Sequence, residues 1–305
     1  MNDAGSPDVP LTEPTSGPGP IVLAGRALGR VPPTAQVLTG IVSVQLGAAL
    51  AKQLFATVGS TGSVALRIFF AAVVLLLVWR PSLRLSRRAW AVVAGYGLVL
   101  GAMNLSFYLA LAQLPLGVAV TITFLGPLAV AIGGSRRWLD GLWALLAGGG
   151  VILLAEGGNG DLQLVGILLA LGTPACWATY ILLSAALGRH TTDGGGLALG
   201  MVLAAVIVVP VGLLEAGTDL FEPWVLIAGF GVALLSSVVP YSLELEALRR
   251  MPPRVFGVLM SLEPAVASLV GLVLLGEVLA ITQWLAVLMV VAASVGATRI
   301  ARTAH

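Results

Sequence analysis

Glu263 is the only charged residue between Val255 and Leu275. A carboxylate in so apolar a run is costly, and it is kept where it binds something: a proton, an ammonium group, or a donor on a neighbouring helix. Pro264 follows it, lacks an N–H and frees the carbonyl one turn back, at Met260, so the chain beside Glu263 is loosened. Arg67 is the lone charge of a second apolar run. Its guanidinium suits a bidentate grip on a carboxylate, although it could equally pair with an acid of the chain or reach the surface along its aliphatic stem. Lys52, the only lysine in the chain, ends a third run with the same options. Glu244 lies one turn past Pro240-Tyr241, where it could line the mouth of a cavity. Glu246 and Arg250, four apart, read as a helix-surface ion pair.

Softer candidates surround these charges. Asn104 and Tyr108 share a helix face, being four residues apart. Gln45, Thr121, Thr123, Trp177, Tyr180, Tyr241 and Ser261 add polar or amphipathic groups that would line a cavity, and each could instead serve as a helix–helix contact. Pro127, Pro240 and Pro264 are expected to shape the helices that carry them. Some chemistry is excluded. The one cysteine, Cys176, and the two histidines, His190 and His305, cannot build a Cys/His zinc site. Lys52 is followed by Gln53, so no Gly-Lys-Ser/Thr phosphate loop exists. No nucleophile–base pair suggests an intramembrane hydrolase. Neither metal nor cofactor is expected.

The elements that must position these groups follow from composition. Of 305 residues, 58% are hydrophobic and 10% charged, and the mean hydropathy is +1.01. Soluble domains carry about 25% charge, so this chain was not written for water. A net charge of +2 also leaves no basic surface for nucleic acid. The partners expected are a small-molecule substrate, protons and membrane lipids. Ten runs are long and apolar enough to cross a bilayer as helices: about 35–54, 63–79, 89–109, 115–133, 138–155, 164–185, 196–214, 224–246, 255–275 and 280–298. The first 34 residues, rich in proline, are expected to form a disordered cytoplasmic tail, and 301–305 a second short tail.

Charge supports that count. With the N-terminus in the cytoplasm, fourteen of the sixteen basic residues fall in cytoplasmic segments and none in external loops, which hold Glu156, Asp161, Glu215, Asp219, Glu222 and Glu277. Both termini are then cytoplasmic. Shifting the chain by 137 positions lays Phe-Leu-Gly-Pro (124–127) on Ser-Leu-Glu-Pro (261–264) and Leu-Pro-Leu-Gly-Val (114–118) on Met-Pro-Pro-Arg-Val (251–255). The shift pairs span four with span nine. Two five-span repeats, 35–156 and 157–300, follow, and five being odd, they are inverted. Such repeats mark secondary transporters with a site near the midplane. The expected class is an all-α integral membrane protein. Fifteen arginines to one lysine suggest a GC-rich bacterial genome and hence the plasma membrane.

Longer motifs add a family resemblance over about 36–300. Ser43-Val-Gln-Leu-Gly-Ala-Ala-Leu-Ala-Lys52, Ala65-Leu-Arg67, Gly101-Ala-Met-Asn104 with Phe107-Tyr108, Pro115-Leu-Gly-Val-Ala119, Gly126-Pro-Leu-Ala-Val130, Ala175-Cys-Trp-Ala-Thr-Tyr180, Pro240-Tyr-Ser-Leu-Glu244, Phe256 to Pro264 and Leu275-Gly-Glu277 resemble the EamA-type drug/metabolite transporter superfamily, and within it the threonine/homoserine exporter group. The resemblance implies export of small amino acids or analogues by proton antiport, with another small polar substrate as the alternative. On that expectation the substrate carboxylate meets Arg67 or Lys52 and its ammonium meets Glu263, where a proton competes. Relatives often carry a glutamate where this chain has Thr123, so coupling here would fall to Glu263 or Glu244. Monomer and homodimer both remain open.

Overall fold

Proline, glycine and serine punctuate an almost continuous apolar chain, and the helices begin and end where they stand. The computed structural model describes residues 31–133, 138–156, 161–187, 194–251 and 253–300. The expected tails at 1–30 and 301–305 lie outside the described residues. The first helix, α1 (Pro33–Trp79), starts with proline in its first turn, where a missing N–H costs nothing. α2 (Arg87–Gln113) starts under Ser86, whose Oγ accepts from the Ala89 N–H at 3.2 Å. α3 (Leu116–Thr123), α4 (Leu125–Gly133) and α5 (Trp138–Glu156) follow. The second half holds α6 (Asp161–Leu187), α7 (Gly195–Ala216), a 3₁₀ turn (Gly217–Phe221), α8 (Pro223–Ala233), a π-helical stretch (Leu234–Val238), α9 (Val239–Arg250), α10 (Pro253–Met260), α11 (Glu263–Leu275) and α12 (Ile281–Ile300).

Six helices among the described residues are long and apolar enough to cross a membrane, and three shorter apolar helices cover 116–130, 141–154 and 281–297. α1 runs through the connection expected at 55–62. It is broken only at Gly59, with φ 68° and ψ 178°, a conformation reserved for glycine. The sequence alone ends one span at 54 and begins the next at 63. In fact Thr61 donates to the Glu215 carboxylate beside the break, and Ser63 Oγ donates to the Ala51 carbonyl at 3.1 Å. These bonds stitch the bend.

Two further breaks matter more. The run expected as one span at 115–133 divides at Phe124, between α3 and α4. The run at 255–275 divides at Ser261-Leu262, between α10 and α11. Pro264 therefore sits in the first turn of α11, where its missing N–H is harmless, and the loosened helix expected there is a full break. The second arm of α1 lies along α7, α2 along α6 and α7, α3 along α11, and α5 along α12. Gly97 and Gly101 let α2 approach Gly200 and Ala204 of α7 closely. Large apolar side chains such as Leu145, Leu214, Ile227 and Val273 remain exposed on the outer faces, as expected where lipid is the solvent.

Candidate functional site

A cavity of about 190 Å³, its polar groups set in a largely apolar lining, opens among α1, α2, α3, α6, the π-helical stretch, α9 and α11. That space holds several waters or one small solute. α1 contributes Gln45 from its first arm and Arg67 from its second; α2 contributes Asn104; α6 contributes Thr173, Trp177 and Tyr180. Thr123 closes α3, Ser236 comes from the π-helical stretch, and α9 supplies Pro240, Tyr241 and Glu244. Glu263 enters at the first residue of α11, beside the break.

The charges are held, but only in part. Arg67 is 9% exposed. Its Nε donates to Ser237 Oγ at 3.3 Å and its Nη2 to the Ser236 carbonyl at 3.1 Å, while the guanidinium lies 5.6 Å from the centre of the Tyr108 ring. The π-helical stretch explains this grip. Its wider turn leaves carbonyls free of the ordinary ladder. The Leu235 carbonyl accepts from Ser43 Oγ at 2.8 Å and the Ser236 carbonyl accepts from Arg67. Gly47 makes the crossing possible, since a Cβ there would stand 2.9 Å from the Ser236 nitrogen. Among the described residues no carboxylate forms an ion pair with Arg67. A guanidinium has five N–H donors, so donors remain for a ligand.

Glu263 is the opposite pole. Its Oε1 accepts from Gln45 Nε2 at 3.1 Å, and its Oε2 is buried with no hydrogen-bond partner. Gln45 Oε1 is likewise without one. Buried polar atoms rarely stay unpaired, because each costs about 1–3 kcal/mol. Orphaned acceptors at one pole and an unpaired cation at the other suit a solute carrying both an ammonium and a carboxylate. Trp177 and Tyr180 give the cavity an aromatic wall, each backed by a second ring: Trp177 stands edge-on to Phe124 with ring centres 5.8 Å apart, and Tyr180 packs on Tyr96 at 5.1 Å.

Comparison with known proteins decides the family. The sequence profile of the EamA-like transporter family matches residues 164–299. The threonine/homoserine exporter RhtA of Escherichia coli K12 is 43% identical over 269 residues, 87% of this chain and 91% of that one. The exporter of the same name from Salmonella typhimurium LT2 matches to the same extent. The chain belongs to the EamA-like transporter family. A more distant match, the uncharacterised transporter YwfM of Bacillus subtilis, is 25% identical over 76% of this chain and 83% of its own. A solved structure described only as a protein crystal structure shares the fold, with a TM-score of 0.59 at 19% identity, covering 88% of this chain and 99% of that one.

Within this EamA-like transporter, nine of the residues picked from sequence face the cavity: Gln45, Arg67, Asn104, Thr123, Trp177, Tyr180, Tyr241, Glu244 and Glu263, with Pro240 beside them. Others do not. Lys52 is committed elsewhere, donating to Glu277 Oε1 and to the Leu114 carbonyl, both at 2.6 Å. Glu277 Oε2 also accepts from the Leu116 N–H at the start of α3, at 2.6 Å. Tyr108 is fully buried behind Arg67 rather than lining the cavity. Thr121 is spent on the Gly117 carbonyl, and Ser261 on Ser294 and the Gly257 carbonyl. Pro264 is buried in the first turn of α11, and Pro127 lies in α4 after the matching break.

Thr173, Ser236 and Ser237 were missed. The sequence did carry a signal for each: a serine pair in mid-run, and a threonine directly before an in-run proline, Pro174. The two breaks also differ in a telling way. Gly126 and Glu263 are 137 positions apart, so they correspond. A Cβ on Gly126 would stand 2.7 Å from the Pro174 carbonyl, so α6 presses against that break and leaves no space for a side chain. Only Glu263 projects into the cavity.

Proposed function

We propose that this chain is a secondary exporter of small amino acids of the threonine/homoserine kind, exchanging them for protons across the bacterial plasma membrane. The observation that carries the reading is the pairing of poles in one cavity: Arg67, buried without an acid partner, and Glu263 with one bare oxygen. Arg67 takes the substrate carboxylate in a charge-assisted fork. Glu263, steadied by Gln45, takes the ammonium group. A proton and an ammonium compete for the same oxygen, so Glu263 releases one to bind the other. Glu244, at the cytoplasmic end of the cavity, relays protons to and from that side. The names of the RhtA relatives favour threonine and homoserine over other zwitterions; a different small polar substrate is the second reading, favoured by Thr123 in place of an acid.

The same reading counts ten spans with both termini cytoplasmic, in two inverted repeats over 35–156 and 157–300. Several observations support it. The Gly59 bend divides α1 into two arms, each of spanning length. The breaks after Thr123 and Met260 are 137 positions apart, the offset of the sequence repeat. Packing of whole spans is in keeping with the symmetry: span two, the second arm of α1, lies against span seven, α7; span four meets span nine, through α3 and α11; and span five, α5, lies against span ten, α12. On this topology Lys52, Leu116 and Glu277 lie together at the external face, and their bonds clasp α1, α3 and the α11–α12 turn.

Counterflow tests the function. Vesicles holding the folded protein and loaded with threonine should take up labelled threonine faster than vesicles loaded with buffer. Equal uptake, with folded protein demonstrated, would remove threonine as the substrate.

A further inference from the structure

Three of the four orphaned polar atoms in the cavity belong to the two charged poles. Glu263 Oε2 and Gln45 Oε1 form the ammonium end. Ser236 Oγ sits on the residue whose carbonyl holds Arg67, at the carboxylate end. The fourth, Thr173 Oγ1, stands on α6, which supplies neither pole.

Thr173 is unusual for its surroundings. Helical threonines and serines ordinarily donate to the carbonyl four residues back. Thr121, Thr123, Thr179, Ser242, Ser261 and Ser268 all do so, at 2.6 to 2.9 Å. Among the cavity-lining serines and threonines, Thr173 alone stands on an α-helix and makes no such bond, although it is 1% exposed. A hydroxyl is both donor and acceptor, so a buried one left open suits a partner that is also both. Another hydroxyl is the simplest such group.

Building on the exporter reading above, we propose that Thr173 is the subsite for the side-chain hydroxyl of the substrate. The cavity then holds its ligand at three points: carboxylate at Arg67, ammonium at Glu263, hydroxyl at Thr173. Such a site selects hydroxylated amino acids by rejecting their apolar isosteres. Valine has the shape of threonine and would bury Thr173 Oγ1 unpaired; an apolar pocket could not tell the two apart so well. One unpaired buried hydroxyl corresponds to roughly 5- to 150-fold in affinity.

The test is competition against labelled-threonine counterflow by unlabelled threonine and valine. In the unmodified protein threonine should compete at least about fivefold better than valine. Thr173→Val should bring the ratio close to one, chiefly by weakening threonine. Thr173→Ser, which keeps the hydroxyl, should restore the preference. Absence of threonine exchange in folded protein would remove threonine as the substrate, and with it the reading on which this subsite rests. Threonine exchange with equal competition by valine in the unmodified protein would overturn only the subsite, and needs no variant. A preference that survives in folded Thr173→Val would overturn it too.

Discussion

Replacing Arg67 by methionine keeps an unbranched apolar stem and removes the charged guanidinium. In the native protein two of its five N–H donors are spent on Ser237 and Ser236. The remaining donors are enough for a bidentate grip on a carboxylate. Truncating one side of a buried, hydrogen-bonded charge pair costs about 2–5 kcal/mol, much of it the penalty of leaving the other charge unpaired. That range is roughly 30- to 5000-fold in affinity. Arg67→Met should therefore raise the half-saturation concentration for threonine in counterflow by at least about 30-fold. Arg67→Lys keeps the charge without the fork, and should fall between the two proteins. An amino alcohol lacking the carboxylate should compete equally against Arg67→Met and the unmodified protein. The variant also leaves the Ser236 carbonyl without its donor, so its fold must be checked by size exclusion and thermal melting. Folded Arg67→Met with an unchanged half-saturation concentration would refute the assignment of the carboxylate to Arg67.

Two further expectations concern the scaffold. Gly59→Ala forces a side chain into a glycine-only conformation and against the Glu215 carboxylate, a cost of about 1–3 kcal/mol or more; melting in detergent should show a lowered Tm, and an unchanged Tm would mean the bend is not strained. Glu277→Gln removes the charge that Lys52 and the Leu116 N–H share; a loss of about 1–3 kcal/mol lowers Tm by several degrees, and adding Lys52→Met should cost little more, whereas fully additive losses would show that the two do not act as a pair.

The fold was largely legible because lipid imposes strict rules. Apolar runs of helical length marked where the described helices lie, and Pro264 marked the loosened point of one broken helix; the break at Phe124, with no proline or charge at it, was not foreseen. What escaped was local. The bend in α1 is one glycine wide, and the bonds that stitch it, from Thr61 to Glu215 and from Ser63 to Ala51, depend on the folded structure. In the site, Arg67, Gln45 and Glu263 were visible as polar groups in apolar runs, which is an expensive placement wherever it occurs. Lys52 looked equivalent to Arg67. Its partner Glu277 lies 225 residues away, and pairing at that separation cannot be read from one sequence. Tyr108 was assigned the cavity from its helix face, yet Arg67 lies between it and the open space. Thr173 and Ser236 went unnoticed because one hydroxyl in an apolar run is usually bonded to its own helix.

The central claim is that Glu263 carries either the proton or the ammonium group. Proteoliposomes loaded with threonine, with and without an imposed pH gradient, test it directly for the unmodified protein and for Glu263→Gln. The amide of that variant can still accept from Gln45, so the cavity keeps its shape. The gradient should accelerate threonine movement in the unmodified protein and have no effect in the variant. Acceleration that persists undiminished in folded Glu263→Gln would contradict it and move the coupling site elsewhere.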